Sequence, residues 1–138
     1  MKTINEAFRE FLKEKKEDLS PRTYNDYRNL ISIFEEYLDE CASDDLYEED
    51  KELYKEKQKN EHKKYCQIFD LAYIVPLDIE YLLEDCLIND VRASATFVET
   101  SRRFFRKFLP WAYEKGYLDY ENYNELVEVV GGIRKKSK

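Results

Sequence analysis

DLSPRTYNDYRNLISIFEEYL, residues 18–38, contains the clearest helix start in the chain. Ser20 is a good N-cap residue, and Pro21 at the next position has no N–H that the first turn would leave unpaired. Apolar side chains then recur every three or four residues and predict one buried face: Tyr24, Tyr27, Leu30, Ile31, Phe34 and Leu38. The opposite face is polar and carries Asn25, Arg28, Asn29 and Ser32. Residues 20–38 therefore predict an amphipathic helix with a hydrated face that is available for contacts.

Two further helices have start signals of the same kind. Thr3 and Glu6 have the spacing of a capping box, in which each side chain accepts from the other residue's amide. Ser94 precedes a run whose mostly aromatic stripe is predicted to face the core: Phe97, Ser101, Phe104, Phe105, Phe108, Trp111 and Ala112. With Arg92 at the origin of a helical wheel, the opposite side is basic and hydroxyl-bearing: Arg92, Thr96, Arg103, Arg106 and Lys107. Gly116 is predicted to end this helix.

Shorter elements are predicted between and after these helices. Residues 65–75 become apolar, and Pro76 is predicted to end that element. Asp78 is a candidate N-cap for a short helix that follows. Residues 122–130 predict a last short helix before Gly131 and Gly132. The sequence therefore predicts four core helices, an acidic insertion that is either a solvated helix or partly disordered, and a short C-terminal helix.

The composition agrees with an all-α fold. Only three glycines and three prolines occur in 138 residues, while charged residues make up 38%. Such a chain favours helices with hydrated outer faces over a many-stranded sheet. We expect one domain at residues 1–130, with the acidic insertion at about 39–64 and a basic flexible tail at 131–138. No apolar run approaches the ~20 residues of a membrane helix, so we expect a soluble cytoplasmic protein with no membrane contact.

The negative charge of the chain is concentrated in one segment. The net charge is −7, which by itself argues against a nucleic-acid binder. Residues 39–61, however, contain ten acidic residues against four lysines, a net of −6. The other 115 residues are close to neutral, with 20 acidic and 19 basic residues. The partners of the two parts must therefore be judged separately.

The sequence offers no pattern typical of a metal or catalytic site. One histidine and three widely spaced cysteines lack the clustering that a zinc site requires, so we expect no metal and no cofactor. The neighbouring acids Glu48 and Glu49 belong to a hydrated charge run rather than to an acid-base pair. We also expect no small-molecule substrate.

Two stretches in this order resemble a known family. LSPRTYNDYRNLISIFEEYL at 19–38 and SATFVETSRRFFRKFLPWAYEKGYL at 94–118 resemble the N-terminal SAM-like, or core-binding, domain of tyrosine recombinases and phage integrases. In that family a Ser-Pro-x-Thr turn opens the second helix, and a later helix ends in aromatic text matched here by Phe105, Phe108, Trp111, Ala112 and Gly116. The insertion after the second helix is longer than usual in the family. The resemblance implies a four-helix SAM-like bundle, and a prokaryotic, archaeal or phage origin.

The resemblance further implies a DNA-binding module of a DNA integration or recombination system. The family's chemistry resides in a separate C-terminal domain, which these residues do not match, so we expect no enzyme activity. Duplex DNA is the expected partner, contacted by helix faces. The matching positions on the second helix are Ser20, Arg22, Thr23, Asn25, Arg28 and Asn29. On the later helix they are Ser94, Thr96, Thr100, Arg103, Arg106 and Lys107, with Arg92 from the same basic side.

Several of these assignments have alternatives. A hydrated surface explains Arg22, Arg28 and Asn29 as well as DNA contact does. In the tail, Arg134, Lys135 and Lys136 form either a phosphate-binding arm or part of a linker. The acidic insertion favours a second function, in which the domain is a protein-interaction module or a regulator that docks on a recombinase or another basic protein.

Overall fold

The computed structural model describes the backbone of residues 2–136 and the side chains as far as Gly132. Within that range the protein is all-α and has no β-strand. Its helices are α1 (Ile4–Lys15), α2 (Pro21–Glu40), α3 (Glu48–Glu61), α4 (Tyr65–Ile68), α5 (Pro76–Tyr81), α6 (Ala95–Glu114) and α7 (Tyr120–Lys136). A π-helical segment, Leu82–Asp90, continues α5, and short 3₁₀ turns lie at Lys16–Asp18, Ala42–Asp45 and Leu71–Tyr73. No helix of the described chain is long and apolar enough to cross a membrane.

The three strongest predicted helix starts are confirmed. Thr3 and Glu6 form both halves of a capping box at the start of α1. Ser20 accepts a hydrogen bond from the backbone N–H of Thr23, and Pro21 occupies the first turn of α2. Ser94 accepts in the same way from the backbone N–H of Phe97. Each contact spans three residues, which is why the local sequence was enough to predict it.

The centre of the fold is aromatic and joins α1, α2 and α6. Phe8, Phe11, Tyr27, Phe34 and Phe104 are each at most 2% exposed. The Phe104 ring lies 5.5 Å from Phe11 and 5.1 Å from Tyr27, measured between centroids, in edge-to-face geometries. Edge-to-face pairs add a small favourable term to the larger gain from removing apolar area from water. The buried faces of α1, α2 and α6 therefore meet in one core.

Polar contacts fasten α1 to the C-terminal end of α6. The indole N–H of Trp111 donates to Glu14, and the Tyr117 hydroxyl donates to Glu10 at 2.6 Å. Lys115 forms an ion pair with Glu14 at 2.9 Å. Gly116 lies between these groups with a φ of +81°, in the left-handed region that favours glycine, and ends α6 as predicted.

The structure corrects the prediction at Pro76. This proline does not merely end the preceding segment, because it occupies the first turn of α5. Asp78 is consequently not the N-cap but lies inside the first turn, where its carboxylate accepts from the Val75 backbone N–H at 3.0 Å. Its other oxygen accepts from the Tyr37 hydroxyl at 3.2 Å, and only 5% of Asp78 is exposed. One carboxylate thus stabilises a helix start and joins α5 to α2.

The structure also corrects the positions of Arg92 and α7. Arg92 precedes α6 and has a φ of +56°, so its place on the basic face does not follow from helical periodicity. The last helix is longer than residues 122–130, because it begins at Tyr120 and continues through Gly131 to Lys136. Residues 131–136, predicted to lie in a tail, are therefore helical. The side chains of Arg134, Lys135 and Lys136 lie outside the described residues, as do Ser137 and Lys138.

The acidic insertion forms a helix that is anchored to the bundle. Most of α3 is exposed, but Tyr54 is 8% exposed and packs near the Tyr65 and Phe69 rings. The Tyr54 hydroxyl donates to the Asp39 carboxylate at 2.7 Å, and the Tyr65 backbone N–H donates to the same oxygen at 3.1 Å. Of the two predicted alternatives, the solvated helix is therefore the one observed.

Candidate nucleic-acid interface

The predicted contact face of α2 is open to solvent. Arg22, Asn25, Arg28 and Asn29 are all exposed, on the side of α2 opposite the buried stripe. Ser20 and Thr23 differ from them, because the Ser20 hydroxyl is bonded to both the backbone N–H and the hydroxyl of Thr23. Those two residues therefore build the helix start, while the arginines and asparagines remain available for an external partner.

A basic groove on α2 was missed by the sequence analysis. Tyr24, predicted to be buried, is only partly buried, and two cations lie near its ring. Lys16 Nζ lies 5.5 Å and Arg28 Cζ 6.0 Å from the ring centroid, within the range of a cation–π interaction. Leu19, Pro21 and Asn25 complete a groove of about 320 Å³. Lys16 comes from the turn after α1, so helical periodicity along α2 could not reveal it.

The predicted face of α6 is also exposed, and one of its arginines forms an ion pair within the helix. Thr96, Arg103, Arg106 and Lys107 are exposed, and Thr100 is half-buried. Arg103 lies 3.8 Å from Glu99, which also pairs with Arg102 at 3.0 Å. Among the described residues, Arg106 and Lys107 have no carboxylate within the 4.0 Å limit of an ion pair. These two cations are thus the most available positive charges of α6.

The outer faces of α2 and α6 adjoin at a second groove. Asn29 and Ser32 of α2 line one side, and Ser94 and Phe97 of α6 line the other, around about 440 Å³. Farther along, Tyr27 packs against Phe104, and the positive charge of Arg103 opposes the rise that burial causes in the Tyr27 pKa. The fold therefore brings together two sets of candidate residues that lie some seventy positions apart in sequence.

The remaining candidates are less closely associated with this surface. Arg92 is exposed, and its neighbours Val91 and Ala93 line the groove between α2 and α6. Arg134, Lys135 and Lys136 cannot be assigned to it, because their side chains lie outside the described residues. We use the name α2/α6 surface for the following exposed polar residues of the two grooves and of the outer sides of α2 and α6: Lys16, Arg22, Asn25, Arg28, Asn29, Thr96, Arg103, Arg106 and Lys107.

The described titratable residues provide no metal site. No group of three or more histidine, cysteine or acidic side chains among them is arranged to hold a metal ion. Burial raises the pKa of the Cys66 and Cys86 thiols, and Cys41 is exposed.

Comparison of the chain with protein-family models, with curated proteins and with solved structures finds no match.

Proposed function

We propose that this domain is a non-catalytic DNA-binding module that contacts duplex DNA through the α2/α6 surface. One observation carries the proposal: the α2/α6 surface has five exposed cations without an ion pair among the described residues, in a chain whose net charge is −7. These cations are Lys16, Arg22, Arg28, Arg106 and Lys107. Charges without a partner on one surface are suited to an anionic ligand of comparable extent.

The chemistry of the surface suits a nucleic acid in particular. Arginine and lysine contact phosphates and position a protein on the duplex, while amide side chains such as those of Asn25 and Asn29 can bond base edges. The Tyr24 ring, with Lys16 and Arg28 near it, places an aromatic face next to two cations that can contact phosphates. Most of these groups would therefore position the domain, and the two asparagines are the candidates for reading sequence.

The family resemblance supports the same surface independently of charge. The Ser-Pro-x-Thr helix start and the aromatic ending of α6 resemble the core-binding domain of tyrosine recombinases, which lays helices against duplex DNA. The matching residues lie on α2 and α6, the two helices that share a groove lined by Asn29 and Ser94. We therefore propose a place in a DNA integration or recombination system, in which any chemistry belongs to another domain or protein.

The proposal is tested by the salt dependence of DNA binding. Fluorescence anisotropy with a labelled duplex, over a series of salt concentrations, gives the slope of log Kobs against log salt. Replacing Arg106 and Lys107 by glutamine should make that slope shallower by about 1.8, because each lost phosphate contact removes about 0.9. The affinity at low salt should fall as well. Both side chains are exposed, so the melting temperature should not change.

A matched control separates the surface from the overall charge. Lys55→Gln with Lys59→Gln removes two exposed lysines from α3 and changes the net charge by the same amount. This pair should leave the slope unchanged. Absence of salt-dependent binding by the wild type would end the proposal, and equal losses in the two pairs would show that the α2/α6 surface has no special role.

A further inference from the structure

A cavity with an acidic lining lies between the acidic insertion and the start of α5, outside the α2/α6 surface. It measures about 370 Å³, which falls in the range of small-ligand sites. Three carboxylates line it: Asp45 in the turn before α3, Asp50 in the first turn of α3, and Asp78 in the first turn of α5. It shares no lining residue with the two grooves of α2.

The negative charge of this cavity is not compensated within the described chain. None of the three carboxylates has a lysine, arginine or histidine within the 4.0 Å limit of an ion pair. Their hydrogen bonds come from neutral groups: the Tyr73 hydroxyl donates to Asp50 at 3.3 Å, and Asp78 accepts from Tyr37 and Val75. Burial and the charge of Asp45 both raise the pKa of Asp78, so these acids are close enough to repel one another.

The remaining wall of the cavity is aromatic and apolar. Tyr47 is 86% exposed at the cavity edge, and Val75 is 48% exposed. Tyr65 and Tyr73 contribute further aromatic surface. Aromatic faces attract cations, and aliphatic surface accepts the methylene stem of a long basic side chain. Tyrosine is also common among the residues that dominate protein interfaces.

We propose that this cavity binds a lysine or arginine side chain presented by a basic segment of a partner protein. DNA does not fit, because three carboxylates would repel its phosphates. A metal ion does not fit either, because no group of three or more potential ligands among the described residues is close enough to hold one. An ammonium or guanidinium group on an alkyl stem satisfies both the acids and the apolar wall.

The exposed position of Tyr47 gives the proposal a specific anchor. Tyr47 occupies the N-cap position of α3, yet its side chain makes no capping hydrogen bond. A ring that neither packs in the core nor caps the helix contributes little to folding. Its location beside Asp50 instead allows it to cover a bound cation, with the ring face toward the charge and the carboxylate opposite.

The test uses the full chain and a fluorescein-labelled oligolysine peptide at low ionic strength, read by anisotropy. Asp45→Asn with Asp50→Asn should weaken binding by about tenfold or more, because removing charges that face a bound cation costs interaction energy directly. Tyr47→Leu keeps an apolar group but removes the cation–π contact, and it should weaken binding by about threefold. The matched control is Glu52→Gln with Glu56→Gln, two exposed acids of α3 outside the cavity. It removes the same charge and should change the affinity less than about twofold.

Each alternative has its own outcome. A lysine-acetylated version of the peptide should not bind, and its binding would overturn the role of the cation. Equal weakening in the cavity pair and the control pair would overturn the proposal in favour of non-specific attraction to α3. If spermidine bound as tightly as the peptide and lost affinity in the cavity variants, the occupant would be a free amine rather than a protein segment. Arg106→Gln with Lys107→Gln should leave peptide binding unchanged, so this proposal and DNA binding can fail separately.

Discussion

Replacing Phe104 by alanine is the most direct test of the described core. Phe104 is 0% exposed, and its ring lies 5.1 Å from Tyr27 in α2 and 5.5 Å from Phe11 in α1. It also lies 5.9 Å from Phe8, so the substitution removes contacts between three helices at once. Loss of a buried phenylalanine side chain costs about 4 kcal/mol, from lost transfer energy and the cavity that remains.

This energy converts into a large shift in melting temperature. An unfolding entropy of about 2.1 cal/mol/K per residue gives about 290 cal/mol/K for 138 residues, so 4 kcal/mol lowers Tm by about 14 °C. Far-UV circular dichroism measures the melting curve. Tyr47→Ala is the matched aromatic control, because its side chain is 86% exposed and its removal should cost no more than about 0.5 kcal/mol, or about 2 °C.

A small effect would refute the packing described for α1, α2 and α6. If Phe104→Ala melted within about 5 °C of the wild type, the ring would not lie at the junction of α1, α2 and α6. A shift of similar size in Tyr47→Ala would show instead that the acidic insertion contributes to the core through its exposed end.

Two further predictions concern titratable groups. Burial raises the pKa of Glu35 above 4.5, so the folded state holds this proton more tightly than the unfolded state, and wild-type stability is lost as the pH rises through that raised value. The Glu35→Gln variant has no titrating group at this position, and its amide oxygen can still accept from Asn5. The Tm of this variant minus the Tm of the wild type should therefore increase between about pH 4 and about pH 7. A difference in Tm that stays constant with pH would contradict this reasoning. The thiols should react in order of exposure, with Cys41 labelled in the native protein and the buried Cys66 and Cys86 only after unfolding. Mass spectrometry after a short alkylation checks the order, and native labelling of Cys66 would show that α4 opens readily.

Local sequence was sufficient wherever the stabilising contact spans one helical turn. The caps at Thr3, Ser20 and Ser94 each join residues three positions apart, so residue type and spacing predicted them. The buried stripes of α1, α2 and α6 follow from the helical period for the same reason. The exposed positions of Arg28 and Arg106 were predicted as well, because they lie opposite those stripes.

Sequence was not sufficient where a contact joins distant segments. Asp78 was assigned to the N-cap because a proline can either end one element or begin the next, and its contact with the Tyr37 hydroxyl, 41 residues away, has no local signal. The approach of Lys16 to the Tyr24 ring requires the turn after α1 to fold back beside α2. The acidic cavity depends on α3 docking through Tyr54, the one buried residue of a helix that is mostly exposed.

The π-helical segment has no local signal that we can identify. Residues 82–90 have the apolar spacing of an ordinary amphipathic helix, and Leu82, Leu83, Cys86 and Leu87 are buried. The segment ends where the Val91 backbone N–H donates to the Cys86 carbonyl, and Arg92 then adopts a positive φ. Helix propensity does not distinguish the wider π-helical turn from an α-helical turn. The sequence of residues 82–90 therefore predicts the buried face of the helix but not its number of residues per turn.

The contact of Trp111 with Glu14 makes the only tryptophan of the chain a spectroscopic reporter of late folding. Trp111 and Glu14 are 97 positions apart in the sequence, and such non-local contacts form after a costly loop closure. Helix formation and the arrival of α1 at α6 can therefore be timed independently in one stopped-flow experiment, by circular dichroism and by indole emission. The spectroscopy requires no added label.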